Sequence, residues 1–151
     1  MPSTSINIPI VKLTDKAQLP TYGSDKAAGA DLYAFLPTND IIIEPGQTVK
    51  VSVGIKTAIP DGYVGLIFAR SGLATKEDLA PANKVGVIDS DYRGEWFIAL
   101  HNHSMKTARK VTNGQRIAQV IFLPIPNVSF EEVTELDDTE RGEGGFGHTG
   151  A

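Results

Sequence analysis

The stretch Gln47–Ile59, QTVKVSVGIKTAI, has the clearest periodicity in the chain. Its apolar residues Val49, Val51, Val53 and Ile55 alternate with polar or small residues. A period of two is typical of an extended strand that buries one face and exposes the other. The stretch therefore predicts a half-buried β-strand.

Short β-rich runs on both sides of this strand follow a similar pattern. They are bounded by glycine, proline, asparagine or aspartate, which favour turns, and they are INIPIVKL, DIIIEPG, YVGLIFA, KVGVID, EWFIAL and RIAQVIFLP. No stretch of a dozen residues has apolar positions at helical spacing, although ATKED (Ala74–Asp78) predicts one helical turn before Pro81. Many short strands separated by turns predict an all-β sandwich, jelly roll or barrel.

The composition excludes several classes of function. The chain has 151 residues, 41% of them hydrophobic and 21% charged, which is typical of one soluble domain. A net charge of -4 argues against binding to a nucleic-acid backbone, and the lack of cysteine excludes disulfides and thiolate chemistry. With no apolar run long enough to span a bilayer and no secretion signal, we expect a cytoplasmic protein without a membrane partner.

The composition changes near the C-terminus. The segment EEVTELDDTE (residues 131–140) has six acidic residues and no basic one, so we place a boundary near Val133 between a β domain (residues 1–133) and an arm (residues 134–151). The end of the arm, RGEGGFGHTGA, contains the G-x-G-x-x-G pattern of dinucleotide-binding sites, but no predicted strand precedes it. Both a frayed terminus and a mobile arm that closes over a ligand fit this segment.

The segment ARSGLA follows the apolar run YVGLIF directly. Arg70, Ser71 and Gly72 could form a small anion cradle from a guanidinium group, a hydroxyl and a backbone N–H. A loop with an exposed arginine is the simpler alternative.

The segment NKVGVIDSDYRGEW (residues 83–96) has two apolar strands that flank the turn sequence DSDYRG, which predicts a β-hairpin. The hairpin either only reverses the chain or also places the carboxylate of Asp89 and the ring of Tyr92 at the mouth of a pocket. The pattern leaves both interpretations open.

The histidines give a weaker signal. His101 and His103 lie two residues apart on one predicted strand face, without a third metal ligand nearby in sequence, so we expect a solvated face. No arrangement of serine, histidine and aspartate supports nucleophilic catalysis. Scattered carboxylates and separate anion-binding loops favour metal-assisted attack of water on a phosphate.

Five segments occur in a characteristic order along the chain. They are AAGADLYA (27–34), ARSGLA (69–74), GVIDSDYRGE (86–95), GQRIAQVIF (114–122) and RGEGGFGHTG (141–150). Together they closely resemble the five motifs of the trimeric deoxyuridine triphosphatases, the dUTPase family. Five ordered motifs over almost the whole chain are far more specific than any one of them.

The resemblance implies an all-β, jelly-roll-like subunit with the β-clip fold of dUTPases. It further implies a homotrimer with active sites shared between subunits, and a flexible glycine-rich C-terminal arm that closes over a neighbour's site. The implied reaction converts dUTP and water into dUMP and pyrophosphate with bound Mg²⁺, which keeps uracil out of DNA and supplies dUMP for thymidylate synthesis.

The resemblance also assigns roles to residues. Asp89 would activate the attacking water with help from Gln119, and Asp31 would lie near the metal and contact it through water. Phosphate ligands would be Arg70, Ser71, Gly72, Gln119, Arg141, Gly147 and Thr149. Uracil and deoxyribose would be bound by Asn83, Gly86, Val87, Ile88, Asp89, Tyr92 and Phe146, with Tyr92 excluding ribose and Phe146 stacking on the base.

The chain departs from the family pattern at a few places. Ala69 stands where the family often has proline, KEDLAPAN lacks a common glycine, and His148 stands where many members have serine. We assign no role to His148, His101 or His103. A dCTP deaminase or bifunctional deaminase–diphosphatase of the same fold, and a nucleotide-sensing module without turnover, are alternatives; the glycine-rich tail and the tyrosine of DSDYRG favour the hydrolase.

Overall fold

The structure, a computed structural model, describes residues 5–150, and these form twelve strands and one short helix, α1 (Ser71–Glu77). The strands are β1 (Ile10–Lys12), β2 (Thr21–Tyr22), β3 (Ala30–Tyr33), β4 (Ile41–Ile43), β5 (Thr48–Ser52), β6 (Ile55–Thr57), β7 (Tyr63–Phe68), β8 (Leu79–Pro81), β9 (Gly86–Ile88), β10 (Phe97–Asn102), β11 (Arg109–Val111) and β12 (Arg116–Pro124). The predicted all-β fold is confirmed.

The strands form four antiparallel sheets around one hydrophobic core. The largest sheet has the order β2-β3-β12-β7-β9, so the nine-residue strand β12 lies at its centre. The other sheets have the orders β5-β10-β8, β1-β6 and β11-β4. The largest fully buried side chains include Trp96, Leu32, Ile43, Ile98 and Leu100.

The stretch predicted as one strand forms two strands in different sheets. Gly54 has a φ of 69°, and a Cβ atom there would lie 2.8 Å from Cβ of Ala17 and from Cγ of Phe35, so only glycine fits. The chain bends at this glycine, β5 pairs with β10, and β6 pairs with β1. The predicted alternation of burial still holds across the break, because Val51, Val53 and Ile55 are almost completely buried.

The helix begins earlier than the sequence predicts. Helix α1 starts at Ser71, directly after extended Arg70, and ends at Glu77, before Asp78 in the left-handed conformation. The predicted helical turn therefore forms its second half, except that Asp78 lies just beyond its end. Ser71 and Gly72, predicted in a loop, are its first residues, because the backbone N–H of Ala74 reaches the carbonyl of Arg70 at 2.9 Å.

The predicted hairpin of residues 83–96 is wrong. β9 pairs with β7 in the five-stranded sheet, whereas β10 pairs with β5 and β8. The connecting loop does not reverse one strand onto the other because it is held elsewhere. The N–H of Tyr92 donates to the carbonyl of Asp89 at 3.1 Å, and the N–H of Trp96 donates to the carbonyl of Ile55 at 3.0 Å.

The last strand ends at Pro124, and every residue from 125 to 150 is exposed except half-buried Gly144. The boundary near Val133 remains a prediction, and residues 1–4 and 151 of the predicted domain bounds lie outside the described residues. Within residues 5–150, no helix has the length and apolar character needed to cross a membrane.

Candidate functional site

Four polar side chains meet at one end of the five-stranded sheet, and all but Arg116 were predicted as site residues. We call Asp31, Arg70, Arg116 and Gln119 the arginine cluster. The central position of β12 explains the meeting, because Gln119 lies opposite Asp31 on β3 and opposite Phe68 on β7. Arg70 follows β7 by two residues and so reaches the same end of the sheet.

Asp31 holds both arginines of the cluster. Nε of Arg70 donates to Oδ1 of Asp31 at 2.8 Å, and Nη1 of Arg116 donates to Oδ2 at 3.4 Å. Asp31 is 13% exposed, and its two partners differ: the side chain of Arg70 is 28% exposed and that of Arg116 is 51% exposed. The bond to Arg70 is therefore both the shorter and the better shielded one. The terminal amino groups of Arg70 make no hydrogen bond to any described residue, which leaves them free to bind an anion.

A β-bulge brings Arg116 into the cluster. Strand β12 shifts its register against β3 between Arg116 and Ala118. Residues three apart in a regular strand face opposite sides, but one extra residue restores Arg116 and Gln119 to the same side. Arg116 was not among the predicted site residues, and a period of two in GQRIAQVIF would place it on the face opposite to Gln119.

Ser71 and Gly72 extend the cluster on one side. Both are exposed and directly follow Arg70. Nε2 of Gln119 donates to the carbonyl of Ala69 at 2.9 Å, which fixes the glutamine beside the same segment. The structure thus brings together predicted residues from three of the five motifs in a position suited to binding phosphates.

A second group of predicted residues lines a cavity of about 270 Å³ beside the loop between β9 and β10. We call it the loop cavity; its lining residues are Lys50, Val87, Ile88, Asp89, Tyr92, Glu95, Trp96 and Phe97. A smaller cavity of about 50 Å³ shares three of these residues and adds Asn83 and Gly86. Predicted residues for uracil and deoxyribose thus lie together, with the exposed carboxylate of Asp89 among them.

Several residues of the loop cavity were not predicted from the sequence. Lys50 comes from β5, which is distant in sequence, and Phe97 and Trp96 follow the motif. The ammonium group of Lys50 lies 4.6 Å from the centre of the Phe97 ring, a cation–π contact. Nothing in the strand pattern of β5 distinguishes Lys50 from an ordinary exposed lysine.

The two halves of the candidate site are far apart within one chain. Ile88 pairs with Gly65, so Asp89 lies near the start of β7, whereas Arg70 follows its end. Five residues separate Gly65 from Arg70, which corresponds to roughly 16 Å along an extended strand. One chain therefore does not place Asp89 beside Arg70 and Gln119.

The arm residues predicted to bind the ligand do not join either half. Phe146 is fully exposed, and Nε of Arg141 donates to the carbonyl of Gly144 at 2.8 Å. Gly147, with a φ of 76°, begins a turn that contains Thr149, because its carbonyl accepts a hydrogen bond from the N–H of Gly150. Closure of the arm over a site remains a prediction.

The histidines lie apart from any group of metal ligands. The rings of His101 and His103 meet edge to face with centroids 4.5 Å apart, and Nδ1 of His101 is 2.8 Å from Oγ1 of Thr48. Partial desolvation and the nearby positive charge of Lys84 lower the pKa of His103. In the part of the chain that the structure describes, no three histidine, cysteine, aspartate or glutamate side chains cluster closely enough to hold a metal ion.

Comparisons with known proteins agree with the resemblance of the five motifs. The model of the dUTPase family matches residues 15–150. A deoxyuridine 5'-triphosphate nucleotidohydrolase from Syntrophotalea carbinolica is 46% identical over 146 residues, 97% of this chain and 98% of the relative. Another from Desulfitobacterium hafniense is 47% identical over 151 residues, 99% of both chains.

The fold is similar to that of solved dUTPases. The dUTPase of Staphylococcus bacteriophage 80alpha with dUpNHpp superimposes with a TM-score of 0.84 at 26% identity, over 97% of this chain and 100% of that chain. A dUTPase from phage phi11 of S. aureus, at 22% identity and a TM-score of 0.78 over 88% of this chain and 100% of that chain, shows the same fold. Because the family model and the relatives cover nearly the whole length, the chain belongs to the dUTPase family.

Proposed function

We propose that this chain hydrolyses dUTP to dUMP and pyrophosphate. The observation that carries the proposal is the match to dUTP nucleotidohydrolases over almost the full length, together with the loop cavity that holds Asp89. The cavity of about 270 Å³ is slightly smaller than the usual small-ligand pocket of roughly 300–1,000 Å³. A nucleoside is a ligand of suitable size for it.

Asp89 acts as the general base in the proposed reaction. Its exposed carboxylate accepts a proton from water while the water oxygen forms a bond to the α-phosphorus. The bond from that phosphorus to the oxygen bridging to the β-phosphate breaks, and pyrophosphate leaves with the bonding electrons. Gln119 orients the water, and Arg70 and Ser71 stabilise the negative charge on the phosphates.

Arg70 is prepared for this role by the arginine cluster. Its bond to Asp31 uses Nε alone, so the terminal amino groups remain for phosphate oxygens. The pair is partly buried, which reduces the loss of side-chain freedom when an anion binds. Gly72 and the arm residues Arg141, Gly147 and Thr149 complete the phosphate ligands in the proposal.

The residues fit a Mg²⁺ ion that arrives with the nucleotide. Asp31 uses one position on each carboxylate oxygen for the arginines and keeps further lone pairs for metal-bound water. Mg²⁺ retains several waters and is usually held by few carboxylates and by substrate phosphates. When bound, it would neutralise phosphate charge. A structural Mg(II) ion is described in the dUTPase from phage phi11.

Uracil is recognised by backbone groups of an edge strand rather than by a hairpin. Among residues 5–150, strand β9 is the last strand of its sheet and pairs with β7 alone, so its other edge offers N–H and C=O groups around Gly86 and Ile88. These groups can pair with uracil, assisted by Asn83 and Val87. Cytosine would leave them unpaired, which is costly in a buried site, and the narrow cavity excludes the methyl group of thymine.

The active sites are shared between the subunits of a homotrimer in this proposal. The separation of roughly 16 Å between the levels of Ile88, the neighbour of Asp89, and Arg70 supports it, because Asp89 and Arg70 must both contact one triphosphate. Exposed apolar side chains after β12 also favour burial against another copy of the chain: Val128, Phe130, Val133 and Leu136. The arm then closes over a neighbour's site, with Phe146 stacked on uracil and Arg141 on the terminal phosphate.

Pyrophosphate release from dUTP, UTP, dTTP and dCTP, each with and without Mg²⁺, tests the proposal. We expect selective, Mg²⁺-dependent turnover of dUTP. Release of ammonia from dCTP would instead identify a deaminase. Tight dUTP binding without pyrophosphate release in Mg²⁺ would identify a nucleotide-sensing module.

A further inference from the structure

Gly94 lies in the loop between β9 and β10. Because it has no side chain, the ring of Tyr92 occupies the space where a Cβ atom would be. A Cβ atom at Gly94 would lie 2.5 Å from Oη, 2.6 Å from Cζ and 2.8 Å from Cε2 of Tyr92. These distances are repulsive, because carbon atoms attract each other best at about 3.5–4.0 Å. The ring therefore packs directly onto the backbone at Gly94.

A hydrogen bond holds the ring in this place. The hydroxyl of Tyr92 donates to the carbonyl oxygen of Glu95 at 2.7 Å. The side chain of Tyr92 therefore extends across Gly94 and ends at Glu95. The carboxylate of Glu95 in turn accepts a hydrogen bond from Ser52 at the end of β5. The position of the ring is thus tied through Glu95 to the sheet.

The ring of Tyr92 can be displaced without disrupting the core. Tyr92 is 41% exposed, so a displaced ring can move into solvent without opening the core. A side chain at Gly94 would push the ring by roughly 1 Å or more and break its bond to Glu95. The expected result is a folded protein with a misplaced Tyr92.

We propose that Gly94 is a positioning residue that sets the selection of deoxyribose over ribose. The inference rests on the proposed function, in which Tyr92 packs under the sugar and leaves no room for a 2′-hydroxyl. With the ring displaced, the space at the 2′ position opens and UTP is accepted. Gly94 acts only through Tyr92 and touches no substrate.

The test compares kcat/KM for dUTP and UTP in Gly94→Ala and in a matched control, Gly23→Ala. Gly23 is exposed, and a Cβ atom there has no neighbour within 4 Å among the described residues, whereas Gly94 is half-buried under the ring. We expect Gly94→Ala to lower the ratio of kcat/KM for dUTP to that for UTP by at least about tenfold, because small displacements in a site have large effects. Gly23→Ala should keep the wild-type ratio.

A double-mutant cycle isolates the steric contact. In a Tyr92→Ala background no ring remains to be displaced, so adding Gly94→Ala should change the selectivity ratio by less than about twofold. An effect of Gly94→Ala that is equally large in both backgrounds would overturn the proposal. So would a folded Gly94→Ala variant with wild-type selectivity.

The controls separate this proposal from the proposed function. If Tyr92→Ala left the selectivity unchanged, the assignment of Tyr92 to the sugar would fail, and the role of Gly94 with it. If Tyr92→Ala lost selectivity and Gly94→Ala did not, only the role of Gly94 would fail. Should Gly94→Ala not fold, the double variant decides: a folded double variant supports the contact with the ring, and an unfolded one overturns it.

Discussion

The arginine cluster and the loop cavity are built in different ways. The cluster depends on β12, the central strand of the largest sheet, whose pairing with β3 and β7 places Gln119 opposite Asp31 and close to the segment that carries Arg70. The loop cavity depends on an edge strand and a loop, which keep backbone groups unpaired and leave Tyr92 partly exposed. In the proposed function, the paired strands hold the charged groups that bind the phosphates, whereas the open strand edge binds the base.

The largest expected effect comes from the loop cavity. Asp89→Asn keeps the shape of the side chain but removes the base, so kcat should fall by about a hundredfold or more while dUTP binding remains. Steady-state kinetics and calorimetric titration with dUTP measure the two effects. Asp91→Asn, an exposed neighbour in the same loop, is the matched control and should be nearly normal. Near-normal turnover of Asp89→Asn would remove Asp89 from the mechanism.

Removal of the arm from Arg141 onward comes next. Because the arm's hydrogen bonds, among the residues described, stay within the arm, its loss should leave the melting temperature and the oligomer unchanged. We expect kcat/KM for dUTP to fall by roughly a hundredfold, as for the loss of groups that position a substrate. Scanning calorimetry and kinetics check this. A melting temperature that fell together with activity would show that the arm is structural.

Phe146→Ala should have a smaller effect than removal of the whole arm. The ring is fully exposed in the free chain, so it contributes no core packing. If it stacks on uracil, its loss should cost about 1–3 kcal/mol of transition-state binding, measured as kcat/KM. Phe146→Tyr keeps an aromatic face and should restore most of the activity. An unchanged kcat/KM for Phe146→Ala would exclude stacking.

The smallest effect is expected in the arginine cluster, at Arg116. Its bond to Asp31 is long and its side chain is half exposed. The ion pair that Arg116→Gln removes should therefore contribute no more than about 1 kcal/mol to the positioning of Asp31. We expect kcat/KM to fall by no more than about fivefold. Lys110→Gln, which removes another exposed ion pair on β11, serves as the control. A much larger loss for Arg116→Gln would mean that Arg116 itself contacts the substrate.

Much of the fold could be predicted from local patterns, because alternating burial and turn residues report the strands directly. The break at Gly54 could not, since the alternation continues through it and only the contacts of Ala17 and Phe35 demand a bend. The predicted hairpin of residues 83–96 is wrong for the same reason, because its strand pairing depends on residues distant in sequence. Two strands flanking a turn sequence favour pairing with each other, but the sequence does not reveal that β7 and β5 offer better partners.

The candidate site divides in a similar way. The motifs alone are enough to nominate Asp31, Arg70, Gln119 and Asp89, because each occupies a defined place in the ordered family pattern. Arg116 could not be predicted in this way, because a β-bulge changes which face of the strand it occupies and the sequence pattern does not reveal the bulge. The position of Gly94 under Tyr92 depends on side-chain packing, which sequence periodicity does not encode.

In the proposed trimer, the arginine cluster of one chain completes the loop cavity of another. Co-expression of Asp89→Asn and Arg70→Gln chains with different affinity tags, followed by two purification steps, yields mixed trimers. In a cyclic trimer of this kind, one of the three junctions combines the intact Asp89 with the intact Arg70. We predict that mixed trimers recover roughly one third of wild-type dUTP hydrolysis. Mixed trimers as inactive as either parent would contradict it.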